Sequence, residues 1–375
     1  MSRVALVPTS PSESLPPNDL PRLDLTGDLT DLLVALVDVA SVSGDEARLT
    51  DAIQAALEPL DHLELVRDGD VLVARTQLGR AERVVLAGHT DTVPIAGNVP
   101  SRTTGTGDDR VVHGRGACDM KGGVAVQLAV AAALTEPSRD LTYIFYDNEE
   151  VEESRNGLAR IGRERPDLLA ATFAVLGEPS NARVEGGCQG TMRAEVTLTG
   201  VAAHSARSWK GSNAIHAAGP LLQRLAAHVP AQVEVEGLVY REGLNAVRIA
   251  GGIAGNVVPD RCVVEVNYRF APSKSPAQAE AYLREVLDGF DLEVTDVAAG
   301  ARPGLDQPVA ADFVAAVGGE PHPKFGWTDV ARFSALGIPA VNFGPGDPGK
   351  AHADDEFCPT ADLHTCRDAL LRWLA

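Results

Sequence analysis

The chain has 375 residues, 45% of them hydrophobic and 23% charged, with 52 acidic against 33 basic side chains and a net charge of −19. That length favours two domains over one, and that composition is ample for a large core. The acidic balance speaks against nucleic acid or an anionic membrane as partner, since either demands a basic face.

Five cysteines, at 118, 188, 262, 358 and 366, form no CxxC pair and are odd in number. A disulfide framework is not expected from them, and a reducing cytoplasm is. Residues 1–27, rich in Pro and Ser, read as a loose arm with no signal peptide or spanning helix in view. From about Asp28 the pattern turns helical through Leu32, Leu33, Leu36 and Val37, and Gly44-Asp45-Glu46 opens a second helix that runs to Leu57. Strands follow near Leu63–Val66, Leu72–Arg75 and Arg83–Ala87, the last an apolar run that stops at Gly88. Gly122–Leu134 is a small-residue helix able to lie against a sheet. Further strands are expected at Leu141–Tyr146, Phe173–Leu176 and Ala340–Phe343. Strands alternating with helices predict an α/β domain with a mixed, largely parallel sheet covered on both faces.

The middle reads differently. Met192–Thr199 alternates like a half-exposed strand, Asn213–His228 is amphipathic, Arg248–Ile253 and Cys262–Phe270 are strands, and Ala277–Asp288 is a helix. This βαββαβ-like order predicts an inserted α+β, ferredoxin-like domain over residues 191–300. Residues 1–190 and 301–375 would then make the first domain.

Acids and histidines collect just beyond the strands of that first domain. His89 and Asp91 lie in GHTDTVP, Glu149 and Glu150 in YDNEE, Glu178 in LGEPS, and His352 in GKAHADDE. Asp119, in GRGACDMKGG, precedes a helix and can join them. Open α/β sheets bind ligands outside the carboxyl ends of their strands. Each motif alone has an ordinary reading as a capped turn or a solvated acidic loop. The glycines of GRGACDMKGG hint at a phosphate loop but lack both the GxxxxGK and the GxGxxG spacing. Taken together, two imidazoles and several carboxylates suit zinc, cobalt or manganese. Two histidines and three carboxylates can hold two such ions if one carboxylate bridges, leaving Glu149 or Glu150 as a general base.

The ordered set GHTDTVP, GRGACDMKGG, an adjacent Glu-Glu pair, GEPS and a late His before an acidic pair resembles the co-catalytic zinc aminoacylase and carboxypeptidase family. The resemblance spans nearly the whole chain. It implies that His89 and Glu178 bind one zinc, that Asp119 bridges two, and that Glu150 and His352 hold the second, with cobalt an alternative metal. It implies that Asp91 orients His89 and that Glu149 is the general base. It further implies a homodimer formed through the inserted domain, which doubles as a lid, with His204 of an AHS motif reaching the partner's site to stabilise an oxyanion. Asn256 in GNVVP, Arg269 in NYRF and Thr328 in GWTDVARF would contact substrate. The stretch from Gly326 to Glu356 carries a finer likeness, which implies an N-succinyl-LL-2,6-diaminopimelate substrate in lysine and diaminopimelate biosynthesis. Other N-acyl amino acids, such as acetylornithine, or dipeptides are the alternatives, with a non-catalytic metal-binding homologue as a reading from another class. Cys188-Gln189, where better-known relatives carry two arginines, and GWTDVARF, where they carry a GTSDGRF-like loop, bear on the acyl pocket and leave the metal ligands untouched.

Overall fold

The computed structural model describes residues 20–375. Most of the expected loose arm, residues 1–19, lies outside the described residues. The remainder does not hang free: Leu23 and Leu25 are buried in the main core, where their apolar surface is out of water.

An 8-stranded sheet forms the frame. Its strands lie in the order Glu64–Asp68, Val71–Arg75, Asp140–Tyr146, Arg83–His89, Phe173–Leu176, Ala340–Asn342, Glu185–Gly186 and His322–Pro323. The central neighbours, from Asp140–Tyr146 through Ala340–Asn342, run parallel. The first two pairings are antiparallel, and the sheet is mixed. Successive side chains of a strand point to opposite faces, so a strand covered on both sides must be apolar throughout. Arg83–His89 obeys this: Val84 and Leu86 enter one buried cluster, Val85 and Ala87 the other. Helices Leu29–Val37, Lys121–Ala133, Pro308–Val317 and Thr360–Leu374 cover the first face. Gly157–Glu164 and Val330–Ala335 cover the second.

Residues 190–298 build a separate 4-stranded antiparallel sheet in the order Gly243–Gly251, Arg261–Phe270, Gly190–Thr199 and Asp291–Ala298. It has its own hydrophobic cluster: Met192, Ala194, Val196 and Leu198 pack with Val264, Val266, Tyr268 and Phe270 beneath helical residues Leu221 and Leu283. The amphipathic stretch 213–228 is two helices, Ala214–Ala217 and Gly219–Ala227, and not one. Pro220 has no N–H to continue the first helix and sits naturally in the first turn of the second. The strand expected at Arg248–Ile253 begins at Gly243, and its outer half is exposed along an unpaired edge. Among the strands that went unseen in the sequence are three short ones at Arg102–Thr104, Val111–His113 and Phe357–Pro359. They are too brief to show a period, and they tie the loop after His352 to the loop before Asp119.

Candidate metal centre

The parallel strands deliver their carboxyl ends to one rim. Arg83–His89 ends on His89 itself. Its neighbour Asp140–Tyr146 turns at Asn148, whose φ of 57° lies in the left-handed region that Asn tolerates, and the turn presents Glu149 and Glu150. Phe173–Leu176 leads through Gly177 to Glu178. Asp119 stands just before the helix Lys121–Ala133. That helix approaches the Glu178 loop so closely that a Cβ on Gly123 would lie 2.0 Å from the carbonyl oxygen of Gly177, so only glycine allows this packing. His352 has a φ of 65°, unusual for a residue other than glycine, and its loop holds it across the rim.

Four of these side chains meet directly. His89 Nε2 lies 3.2 Å from Asp119 Oδ1. His352 Nε2 lies 2.9 Å from Glu150 Oε1 and 3.3 Å from Asp119 Oδ2. Asp119 therefore stands between the two imidazoles, one carboxylate oxygen to each. Ligand atoms of His89, Asp119 and Glu150 fall within 4.8 Å of one another, a spacing one cation can span. Glu149 and Glu178 line the same cavity of about 420 Å³ with Asp119, Glu150 and His352. His89 lies behind Asp119, fully buried.

The electrostatics mark a site built for positive charge. Burial presses the His89 pKa down, but the carboxylates of Asp119 and Asp91 outweigh it and hold the imidazolium well above its ordinary range. Hydrogen bonds that its ring donates to Asp119 and then to Glu150 lift His352 to about 10. Burial raises Glu178 to about 7, with Asp119 adding repulsion. Burial likewise drives Glu149 well above the carboxylate range, and Glu150 upward. Carboxyl groups forced to keep protons beside imidazoles forced to gain them are what a crowded anionic pocket does without a cation. Imidazole and carboxylate oxygen are also the donor set that divalent zinc or cobalt accepts.

Asp91 does more than face His89. Its Oδ1 is 3.5 Å from His89 Nδ1, whereas the Asp91 carbonyl oxygen is nearer, at 3.0 Å. Its carboxylate accepts the backbone N–H of Glu149 at 2.9 Å and of Glu150 at 3.1 Å, and the Ser43 hydroxyl at 2.7 Å. The side chain that faces His89 thus also anchors the turn that carries two more acids.

The remaining sequence candidates stand apart. Thr328 lines the cavity, but its hydroxyl donates inward to Asn342 Oδ1 at 2.9 Å. His204 is exposed, with Nδ1 accepting the Ala206 N–H at 3.1 Å. Asn256 is exposed as well, and Arg269 sits half-buried on the second sheet; none of these three lines the cavity. Sequence reasoning missed Lys324 and Glu185. Lys324 Nζ is buried in the cavity wall, 3.0 Å from Glu185 Oε2 and 3.0 Å from the Pro179 carbonyl oxygen. No local pattern announces a lysine in HPKF; only the pairing of the strand just before it, His322–Pro323, with Glu185–Gly186 brings the two together.

The fold and this rim of imidazoles and carboxylates define a metallohydrolase architecture, and the chain belongs to Peptidase family M20/M25/M40, matched over residues 85–375. Among its relatives is the succinyl-diaminopimelate desuccinylase of Corynebacterium glutamicum, 47% identical over 366 residues that cover 95% of this chain and 98% of that one. A Mycobacterium tuberculosis protein, provisionally named succinyl-diaminopimelate desuccinylase DapE, is 52% identical over 355 residues, 94% of this chain and 99% of its own. The crystal structure of a Staphylococcus aureus tripeptidase shares the fold with a TM-score of 0.75 at 21% identity, covering 92% of this chain and 97% of that chain.

Proposed function

We propose that this protein is a metal-dependent amidohydrolase that cleaves N-succinyl-LL-2,6-diaminopimelate to succinate and LL-2,6-diaminopimelate, a step of lysine and diaminopimelate biosynthesis. The observation that carries the reading is the meeting of His89, Asp119, Glu150 and His352 from four separate segments, with Glu149 and Glu178 on the same cavity. Full-length identity to desuccinylases supports the substrate.

His89 and Glu178 would hold one divalent ion, Glu150 and His352 a second, and Asp119 both, with zinc or cobalt the metal. Such ions supply Lewis-acid polarisation of the amide carbonyl and make water a nucleophile near neutral pH. Glu149 takes one proton from the attacking water; as the C–N bond breaks, it returns that proton to the departing nitrogen. Glu149 lines the cavity, where its carboxylate can hold the proton between the two steps. Asp91 fixes His89 and the Glu149–Glu150 turn together. The succinyl group adds a carboxylate; Lys324 is the ammonium in the cavity wall, and to meet that carboxylate it would turn from Glu185.

Residues 191–300 act as the dimerisation and lid domain of a homodimer. Support comes from the unpaired edge strand Gly243–Gly251, with Val247 and Ile249 exposed on it and Ile215 and Leu222 exposed on the adjacent helices. His204 would enter the partner's site and stabilise the oxyanion, while Asn256 and Arg269 would contact substrate once the lid closes. Five free, buried cysteines suit a reducing cytoplasm, and among the described residues no helix is long and apolar enough to cross a membrane.

The test is turnover of the N-succinyl substrate against N-acetylornithine by protein stripped with chelator and reloaded with zinc or cobalt. Metal-dependent activity with the succinyl compound faster is expected. Faster turnover of the acetyl compound would overturn the substrate assignment.

A further inference from the structure

Glu356 lies four residues beyond His352, and its carboxylate is fully buried. Oε1 accepts the backbone N–H groups of Cys118 and Asp119, each at 3.1 Å. Oε2 accepts the N–H of Gly116 at 3.0 Å and Arg115 Nη1 at 3.1 Å. Arg115 Nη1 also donates to the Ala353 carbonyl oxygen at 3.1 Å, and the Gly114 N–H donates to that of Glu356 at 3.1 Å. The glycine-rich segment GRGACDMKGG is therefore an anion-binding loop after all, and its anion is a side chain of the same protein. Successive amides turned to one point make such a concavity. Gly116 permits it with a φ of 80°, where a Cβ would also strike Thr92 Cγ2 at 2.7 Å.

The consequence concerns the rim. The loop gripped by Glu356 ends on Asp119, and the segment that supplies Glu356 begins at His352. We propose that Glu356 is a positioning residue of the metal centre: its carboxylate clamps the Asp119 loop to the His352 loop and so fixes the spacing between those two ligands. This rests on the metallohydrolase reading. A carboxylate is required because all four partners are donors. An amide in its place turns an NH2 toward N–H groups and loses at least one of the bonds.

The test is metal binding to purified, metal-free protein by competition with a chromophoric chelator, with the visible spectrum of the cobalt form as second readout. In Glu356→Gln, the weaker of two cobalt sites loses about 10- to 100-fold in affinity, the range for groups that orient ligands. Its cobalt absorption bands shift, and kcat falls at fixed metal with KM nearly unchanged. Raising the metal concentration restores part of the rate. Asp355→Asn, on the same loop but with an exposed carboxylate bonded to Lys350, leaves both affinities at wild-type values. Should E356Q fail to fold, Glu356→Asp, which keeps the charge but retracts it by one methylene, gives the same reading. Wild-type affinity and spectrum in the folded variant overturn the role of Glu356 alone. If the wild-type protein itself takes up no metal, the metallohydrolase reading fails first and this role with it.

Discussion

The carboxylate of Asp91 holds the backbone N–H of Glu149 at 2.9 Å, so the residue that faces one imidazole also sets the position of the proposed general base. Two functions that sequence spacing separates are joined in one side chain. Replacing it by Ala removes the acceptor for both amides of the Glu149–Glu150 turn and the carboxylate beside His89, whose Nδ1 keeps the backbone carbonyl of residue 91. We expect Asp91→Ala to lower kcat by about 10- to 100-fold, with metal content falling less than activity. Steady-state kinetics beside metal analysis of the same preparation checks this; unchanged kcat would contradict it.

Glu149 is assigned proton transfer and no metal. Glu149→Gln should therefore bind the same number of ions as the wild type while kcat drops by about 10²- to 10⁴-fold, the usual contribution of a general base. Normal metal content with surviving turnover would remove Glu149 from the role.

The protons stored in the metal-free rim make its stability depend on pH. Glu178 titrates at about 7 when folded against an ordinary 4.5, so the native state holds more protons across that window and loses stability as pH rises through it. His352, lifted to about 10 from an ordinary 6.5, contributes stability that is fully present below 6.5 and is lost as pH rises towards 10. Both act in the same direction. A bound cation needs these groups deprotonated, so the rise in Tm on adding zinc should be larger at about pH 8 than at about pH 5.5. Thermal melts with and without chelator measure it, and an equal or reversed rise contradicts the account.

Much of this was legible in the sequence because strands buried on both faces have to be apolar throughout. Val84–Ala87 and Phe173–Leu176 therefore announced themselves, and the acids beyond them marked the rim. Helix periodicity found the cover at Leu29–Val37, but it ran 213–228 together because Pro220 sits where a helix can start as readily as one can stop. Pairing at a distance was hidden. Nothing local indicates that Lys324 meets Glu185, that Thr328 turns inward to Asn342, or that Glu356 fills the loop before Asp119. Those contacts follow from which segments the sheet brings side by side, and one sequence carries no record of that.

The exposed edge Gly243–Gly251 and the exposed His204 give the proposed dimer a functional test. Mixing Glu149→Gln with His204→Ala under conditions that exchange subunits creates heterodimers in which one site has both residues intact. Activity should reappear from two nearly inactive preparations. Activity no greater than the sum of the two would place His204 outside the partner's site. A charge at Ile249, as in Ile249→Asp, should shift the protein to monomer in sedimentation and lower its activity with it.

The most direct measurement is a crystal structure of the zinc-loaded protein with anomalous scattering collected at the zinc edge. Two peaks are expected in the cavity, one against His89 and Glu178 and one against Glu150 and His352, with Asp119 touching both. Peaks elsewhere, or none while those five side chains stay without a metal, would contradict it.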